Sequence, residues 1–181
     1  MSEELEVLKI VTGRLNEAQV PYMLTGSIAA NFYAVPRMTR DIDIVVELRT
    51  VDVEKVFSLF VGDFYIDKGM IWEAITQQRM FNIIHEKAIV KVDLIIKKDD
   101  QYQRQAFARR RKVDIEGIEM FIIAPEDLIL SKLLWAKQNL SELQLADVRN
   151  LLSSLTELDH VYLSRWAKEL AVEDLYREAA K

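Results

Sequence analysis

The chain has 181 residues, half of them hydrophobic, with 24 Lys and Arg against 29 Asp and Glu and a net charge of −5. These values fit one soluble globular domain with a small helical appendage; they exclude a disordered chain and a general polyanion binder, because any grip on nucleic acid must come from a local patch. The absence of cysteine excludes disulfides, cysteine zinc sites and thiol catalysis, and with only two histidines, His85 and His160, a metal would fall to carboxylates.

The acidic start Met1-Ser2-Glu3-Glu4 lacks the pattern of a signal peptide, and no apolar run approaches the ~20 residues of a membrane span, so a cytoplasmic protein without membrane association is expected. Leu5, Leu8, Ile10, Val11 and Leu15 predict a helix over 4–18, closed before Pro21. Tyr22–Thr25 reads as a short buried strand, Gly26-Ser27 breaks it, and a helix over 28–34 follows, ended by Pro36. Residues 41–48 (DIDIVVEL) read as a strand rich in β-branched residues. Thr50 can cap a helix reaching Phe60, and Phe64–Asp67 reads as a short strand. Residues 80–86 and 88–96 predict an antiparallel hairpin. A helix over 101–110 precedes a second hairpin, 112–115 with 118–123, around Gly117. Pro125 suits a first helical position, opening an apolar helix over 126–138. Ser141 with Gln144 fits a capping box for a helix to Ser154, and 160–169 and 173–180 are further helices. The expected class is α+β, with a mixed core over residues 1–124 and a helical segment packed on it over 125–181.

The chemistry concentrates in two stretches. Residues i and i+2 of a strand share a face, so Asp41 and Asp43 point the same way while Ile42 and Ile44 point the other. Two carboxylates this close repel one another, and a divalent cation with oxygen ligands, Mg²⁺ or Mn²⁺, relieves the conflict. Asp93 interrupts the apolar run Val90–Ile96, where an unpartnered Asp is costly. A strand carrying Asp93 beside the Asp41–Leu48 strand would gather three carboxylates, an arrangement suited to two-metal phosphoryl chemistry. Gly26-Ser27 complements them: Gly permits a sharp turn, and the helix N-terminus that follows can receive a phosphate. Ser27 can cap that helix or donate its hydroxyl. Each feature alone has a bland reading, since Asp-x-Asp pairs and Gly-Ser dipeptides are common on surfaces. Their order and context make the nucleotide-site reading the stronger one.

Gly26-Ser27, a helix, Arg37-x-Thr39-x-Asp41-Ile42-Asp43 and the later Val92-Asp93-Leu94 resemble the nucleotidyltransferase superfamily with its polymerase-β-like fold. Over residues 20–155 the pattern is most similar to AbiEii-type toxins and related small nucleotidyltransferases, including Pro125-Glu126-Asp127-Leu128, Lys132, Lys137 and Asp147. The resemblance implies a small mixed sheet with packed helices, a nucleoside triphosphate such as ATP as donor, Mg²⁺, and transfer of a nucleoside monophosphate. It implies Asp41, Asp43 and Asp93 as catalytic metal ligands, with Gly26, Ser27, Arg37, Thr39, Arg40 and Lys132 holding the nucleotide. It points to tRNA or a protein as acceptor, in a toxin–antitoxin setting with a cognate antitoxin as partner. The chain is shorter than most AbiEii-type toxins, and the small lincosamide-type antibiotic nucleotidyltransferases share the core at comparable size, so a small-molecule acceptor is the rival. A non-catalytic nucleotide- or partner-binding module is the second rival, against which the intact carboxylate set argues.

Lys132 lies on an apolar helical face and needs a counter-charge or a phosphate, with Asp147 the candidate; the alternative is a lysine snorkelling to solvent. Arg37 and Arg40 can hold phosphate or pair with the carboxylates. The basic run Arg109–Lys112, with Lys97, Lys98 and Arg104, could meet RNA phosphates, although a solvated helix end is the commoner explanation. His85 and His160 receive no role, and Trp72, Trp135 and Trp166 are expected in the core.

Overall fold

The structure, a computed structural model, describes residues 2–181. Ser2 accepts from the Leu5 amide and caps α1 (Glu3–Glu17), whose buried stripe is Val7, Leu8, Val11 and Leu15. Among the described residues seven strands form one sheet: β1 (Tyr22–Thr25), β2 (Ile42–Val46), β3 (Phe64–Tyr65), β4 (Met80–His85), β5 (Val90–Ile96), β6 (Arg111–Ile115) and β7 (Ile118–Ile122). Their order is β3-β4-β5-β2-β1-β7-β6. β2 runs parallel to β5 and β1 parallel to β7, and the remaining neighbours are antiparallel. β2 and β5 are central strands, and Ile42, Ile44, Val92 and Leu94 are almost wholly buried. The expected mixed sheet with helices is therefore present.

The helices after α1 are α2 (Gly26–Tyr33), α3 (Val53–Phe60), α4 (Lys68–Gln77), α5 (Gln101–Ala108), α6 (Pro125–Asn139), α7 (Glu142–Ser154), α8 (His160–Glu169) and α9 (Glu173–Ala179). No helix of the described residues is long and apolar enough to cross a membrane. Several local expectations change. The strand expected over 41–48 is trimmed to β2, which leaves Asp41 just ahead of it. Asp67 is not in a strand; its carboxylate accepts from the Met70 amide and caps α4. Ser141 stands at the N-cap of α7 without a side-chain cap bond, and the amide oxygen of Gln144 accepts from Lys132 Nζ at 3.1 Å. Trp166 is buried, whereas Trp72 and Trp135 are about half exposed at 56% and 51%.

The chain divides into two compact units. The first takes the residues up to Ile28 together with Thr39–Ile122 and holds the whole sheet. Within it Arg14 clamps Asp63 through two bonds of 2.6 Å. The second unit is Ala29–Met38 with Ile123–Lys181. A single cut at residue 124 therefore does not describe the units, because 29–38 is bonded to the C-terminal helices. Tyr33 Oη donates to the Ile123 carbonyl at 2.8 Å, Asn150 Nδ2 donates to the Val35 carbonyl at 2.8 Å, and Arg37 pairs with Asp147.

Two acids, Glu126 and Asp127, are buried in the first turn of α6, at 2% and 0% exposure. The helix N-terminus favours negative charge there. Asp127 also accepts from Tyr162 Oη at 2.7 Å, and Glu126 accepts from the Asp159 amide at 3.2 Å. This pins the start of α6 to the start of α8. Tyr162→Phe should lower stability by about 1.5–3 kcal/mol, the scale for removing a hydrogen bond to a buried charge. Urea unfolding measures it, and an unchanged midpoint would mean that the hydroxyl contributes nothing to the buried carboxylate.

Candidate active site

The strand β1 ends at Thr25 and the chain turns into α2 through Gly26, which sits at φ +66°. This left-handed conformation is strained for residues with a Cβ. The turn has a second reason to be glycine. A Cβ on Gly26 would lie on top of Asp43 Oδ2, and 2.7 Å and 2.8 Å from Asp43 Cγ and Cβ. The carboxylate of Asp43 therefore fills the space that a side chain at residue 26 would need. Ser27 lies inside the first turn of α2 rather than ahead of the helix.

Sheet register supplies the rest. Thr25 is opposite Asp43, Asp43 opposite Asp93, and Asp93 opposite Asn82, so one row crosses β1, β2, β5 and β4. Residues paired in this way share a face, and neighbouring strands are about 4.8 Å apart. Asp43 and Asp93 are thus adjacent carboxylates. Asp93 is 5% exposed, and its Oδ1 is buried without a hydrogen-bond partner among the described residues. Its Oδ2 accepts from Lys91 Nζ at 2.9 Å. The same ammonium stands 3.8 Å from Oδ1 of Asp41, whose side chain is 67% exposed. The hydrogen bond to Asp93 holds Lys91 above the ordinary lysine range, against a smaller opposing loss of hydration; the charges of Asp93, Asp41 and Asp43 add to it.

Among the described residues no three histidine or acidic side chains are gathered into a ready metal cage. Asp41 lies outside the strand and is mostly in solvent, which leaves Asp43 and Asp93 as the fixed pair. The donors nevertheless suit a hard divalent ion. All are carboxylate oxygens, one of them is buried and unpartnered, and Asp41 and Asp93 already share one cation, the ammonium of Lys91. Sequence reading passed over Lys91. The signal was present, since Lys91 and Asp93 are i and i+2 of one strand and so share a face.

The remaining candidates fall into two groups. In the second unit Arg37 finds a carboxylate on α7. Its Nε and Nη2 make a fork onto Asp147 at 2.8 and 2.9 Å. Lys132 Nζ joins the same carboxylate at 2.7 Å. Lys132 is 3% exposed, so it does not snorkel. Burial pushes the Asp147 carboxyl up, but the hydrogen bonds and charges of Arg37 and Lys132 outweigh it and hold the group below its ordinary value. In the first unit Thr39 is half-buried and Arg40 exposed, on the segment leading to Asp41.

The chain is similar to several solved structures. An antigenic nucleotidyltransferase-like protein from Paracoccidioides brasiliensis matches at 17% identity and a TM-score of 0.61, over 99% of this chain and 93% of that one. The lincosamide antibiotic adenylyltransferase LnuA, with lincomycin bound, matches at 15% identity and a TM-score of 0.56, over 86% and 98%. ANT(2″)-Ia in complex with adenylyl-2″-tobramycin matches at 16% identity and a TM-score of 0.51, over 100% of both chains. The chain has the nucleotidyltransferase fold. No family model matches the sequence, and no curated protein matches it.

Within this nucleotidyltransferase fold the basic run is occupied internally. Arg110 stacks over the rings of Phe107 and Phe121, Lys112 pairs with Glu119 at 2.7 Å, Arg104 pairs with Asp99 at 2.8 Å, and Lys97 pairs with Glu47. His85 Nδ1 accepts from the Ala88 amide and closes the β4–β5 turn, and His160 Nδ1 meets Tyr176 Oη at 3.1 Å. Both histidines have local structural partners.

Proposed function

We propose that the chain is an enzyme that transfers a nucleoside monophosphate from a nucleoside triphosphate to an acceptor hydroxyl. The acceptor oxygen forms the new bond to the α-phosphorus, the bond to the β-phosphate oxygen breaks, and pyrophosphate leaves. The observation that carries this reading is Gly26 closed against Asp43 in register with Asp93. It sets a helix N-terminus, which favours phosphate, against carboxylates that suit a divalent ion.

Asp43 and Asp93 would hold Mg²⁺ or Mn²⁺, with Asp41 completing the set from its exposed position ahead of β2. Such an ion supplies charge neutralisation on the triphosphate and acidifies the attacking hydroxyl. Gly26 and Ser27 present backbone amides to a donor phosphate, and Thr39 and Arg40 lie on the segment that delivers Asp41. Arg37 and Lys132, which the resemblance assigns to the nucleotide, share the carboxylate of Asp147.

The likeness of the motifs to AbiEii-type toxins supports tRNA or a protein as acceptor, with a cognate antitoxin as partner. A second reading is a small-molecule acceptor. It is supported by the matches to LnuA, over 86% of this chain, and to ANT(2″)-Ia, over 100% of it, whose structures contain lincomycin and adenylyl-2″-tobramycin. Each labelled NTP, incubated with Mg²⁺ and in turn with bulk tRNA, a cell protein extract, lincosamides and aminoglycosides, separates the readings by the species that takes the label. Asp93→Asn should lower transfer by about 10²-fold or more, the scale for losing one preorganised electrostatic contact, while circular dichroism stays unchanged. Undiminished transfer by Asp93→Asn would remove the carboxylate row from the reaction.

A further inference from the structure

Lys91 stands beside the carboxylate row, and the proposed reaction does not use it. It sits two residues before Asp93 on β5, and its ammonium is within ion-pairing distance of both Asp93, at 2.9 Å, and Asp41, at 3.8 Å. A lysine in that place is not needed to fill the core, because its side chain is 42% exposed. Nor is it committed elsewhere: both of its ion pairs go to acids assigned to the metal. Asp43 contributes to the same local field.

We infer that Lys91 is a tethered cation that neutralises the carboxylates when no divalent ion is bound, and that a divalent ion binds only as the Lys91 ammonium withdraws. This rests on the reading of Asp41, Asp43 and Asp93 as ligands for that ion. The physical basis is competition between cations for the same oxygens. An ammonium at hydrogen-bond distance from Asp93 Oδ2 occupies one of the two oxygens that Asp93 can offer. A divalent ion brought among these carboxylates while Lys91 stayed would face a positive charge only a few ångströms away, and like charges that close repel one another. The flexible four-carbon stem of lysine and its partial exposure give the ammonium somewhere to go. Lys91 thereby keeps the empty row folded and sets a threshold on metal affinity, so that an ion arriving with a triphosphate, whose negative charge offsets the repulsion, is favoured over the free ion.

The test is Mn²⁺ binding to the full chain without nucleotide, followed by electron paramagnetic resonance, in the wild type and in Lys91→Met, Lys91→Arg and Asp93→Asn. Lys91→Met should bind Mn²⁺ at least about tenfold more tightly than wild type. Lys91→Arg keeps the charge and should stay as weak as wild type. Asp93→Asn should lose binding, alone and combined with Lys91→Met. Should Lys91→Met fold poorly without metal, the wild type answers by itself: Mn²⁺ should raise the rate at which Lys91 is acylated by acetic anhydride, read by peptide mass spectrometry. Unchanged or weaker Mn²⁺ binding by Lys91→Met, with binding still dependent on Asp93, overturns the role of Lys91 and leaves the metal reading standing. An acylation rate indifferent to bound Mn²⁺ does the same. Mn²⁺ binding that ignores Asp93→Asn in both backgrounds overturns the metal reading and this inference with it.

Discussion

Replacing Gly26 with Ala should destabilise the protein by roughly 2–5 kcal/mol and abolish binding of Mg²⁺-NTP. The first part of that figure comes from the backbone: φ +66° costs a residue with a Cβ about 1–2 kcal/mol. The second comes from space already taken, since the new methyl would overlap the Asp43 carboxylate, and overpacking of this kind costs about 1–3 kcal/mol. The carboxylate is the part that can move, because the atoms on the other side of the clash are backbone. Turning away, it would leave the row it shares with Asp93. The overpacking part of the stability loss and the binding loss therefore have one cause. Gly13 is the control. It lies inside α1, a Cβ there would meet nothing within 4 Å, and Gly13→Ala should raise stability by about 0.5–1 kcal/mol through helix propensity. Urea unfolding of both variants, with calorimetric titration of each NTP in Mg²⁺, checks the pair. A Gly26→Ala protein as stable as wild type would show that the Asp43 side chain does not rest against residue 26.

Much of this site can be read from the chain because strand periodicity is local. The alternation Asp41-Ile42-Asp43-Ile44 fixes which side chains share a face, and Asp93 stands out against Val90, Val92, Leu94 and Ile96. What periodicity leaves open is which strands are neighbours; the register Asp43 opposite Asp93 is a tertiary fact, and the sequence supports the adjacency of the two strands only as a condition. Gly26 is legible as a turn, but not the crowding by Asp43, which depends on how β1 and β2 pair. Lys91 was hidden by reading its strand as an apolar run with one interruption, when it has two on the same face. Arg37 could not be placed at all: its partner Asp147 is 110 residues away in sequence. Lys132 and Asp147, on consecutive helices, were within reach of helical spacing, and they meet at 2.7 Å. The helix α4 escaped because it has no clean apolar stripe. Only Ile71 and Ala74 are buried, while Met70 and Trp72 face solvent.

The Asp147 cluster should show the other large effect, and its pH dependence identifies the cause. Asp147 is the common anion for Arg37 and Lys132, with its side chain 6% exposed and that of Lys132 4% exposed. Asp147→Leu would take from the buried Lys132 ammonium the carboxylate it meets at 2.7 Å, and losing one partner of a buried pair costs about 3–5 kcal/mol. Asp147→Asn keeps the shape and removes the charge, so it should cost less, but measurably, at neutral pH. The folded Asp147 carboxyl titrates below its ordinary value. Its contribution is therefore complete above the unfolded value of about 3.9 and is lost as pH falls toward the folded value. Across that window the stability difference between wild type and Asp147→Asn should shrink by up to about 1.4 kcal/mol per pH unit, the slope for one proton. Above about pH 5 the difference should be flat, because the carboxyl is ionised in both states there. Urea midpoints of the two proteins from pH 7 to pH 3 give the curve directly. A difference that stayed constant below pH 4 would mean that Asp147 contributes shape and packing rather than charge. The two cations could then not be held in place by an ion pair.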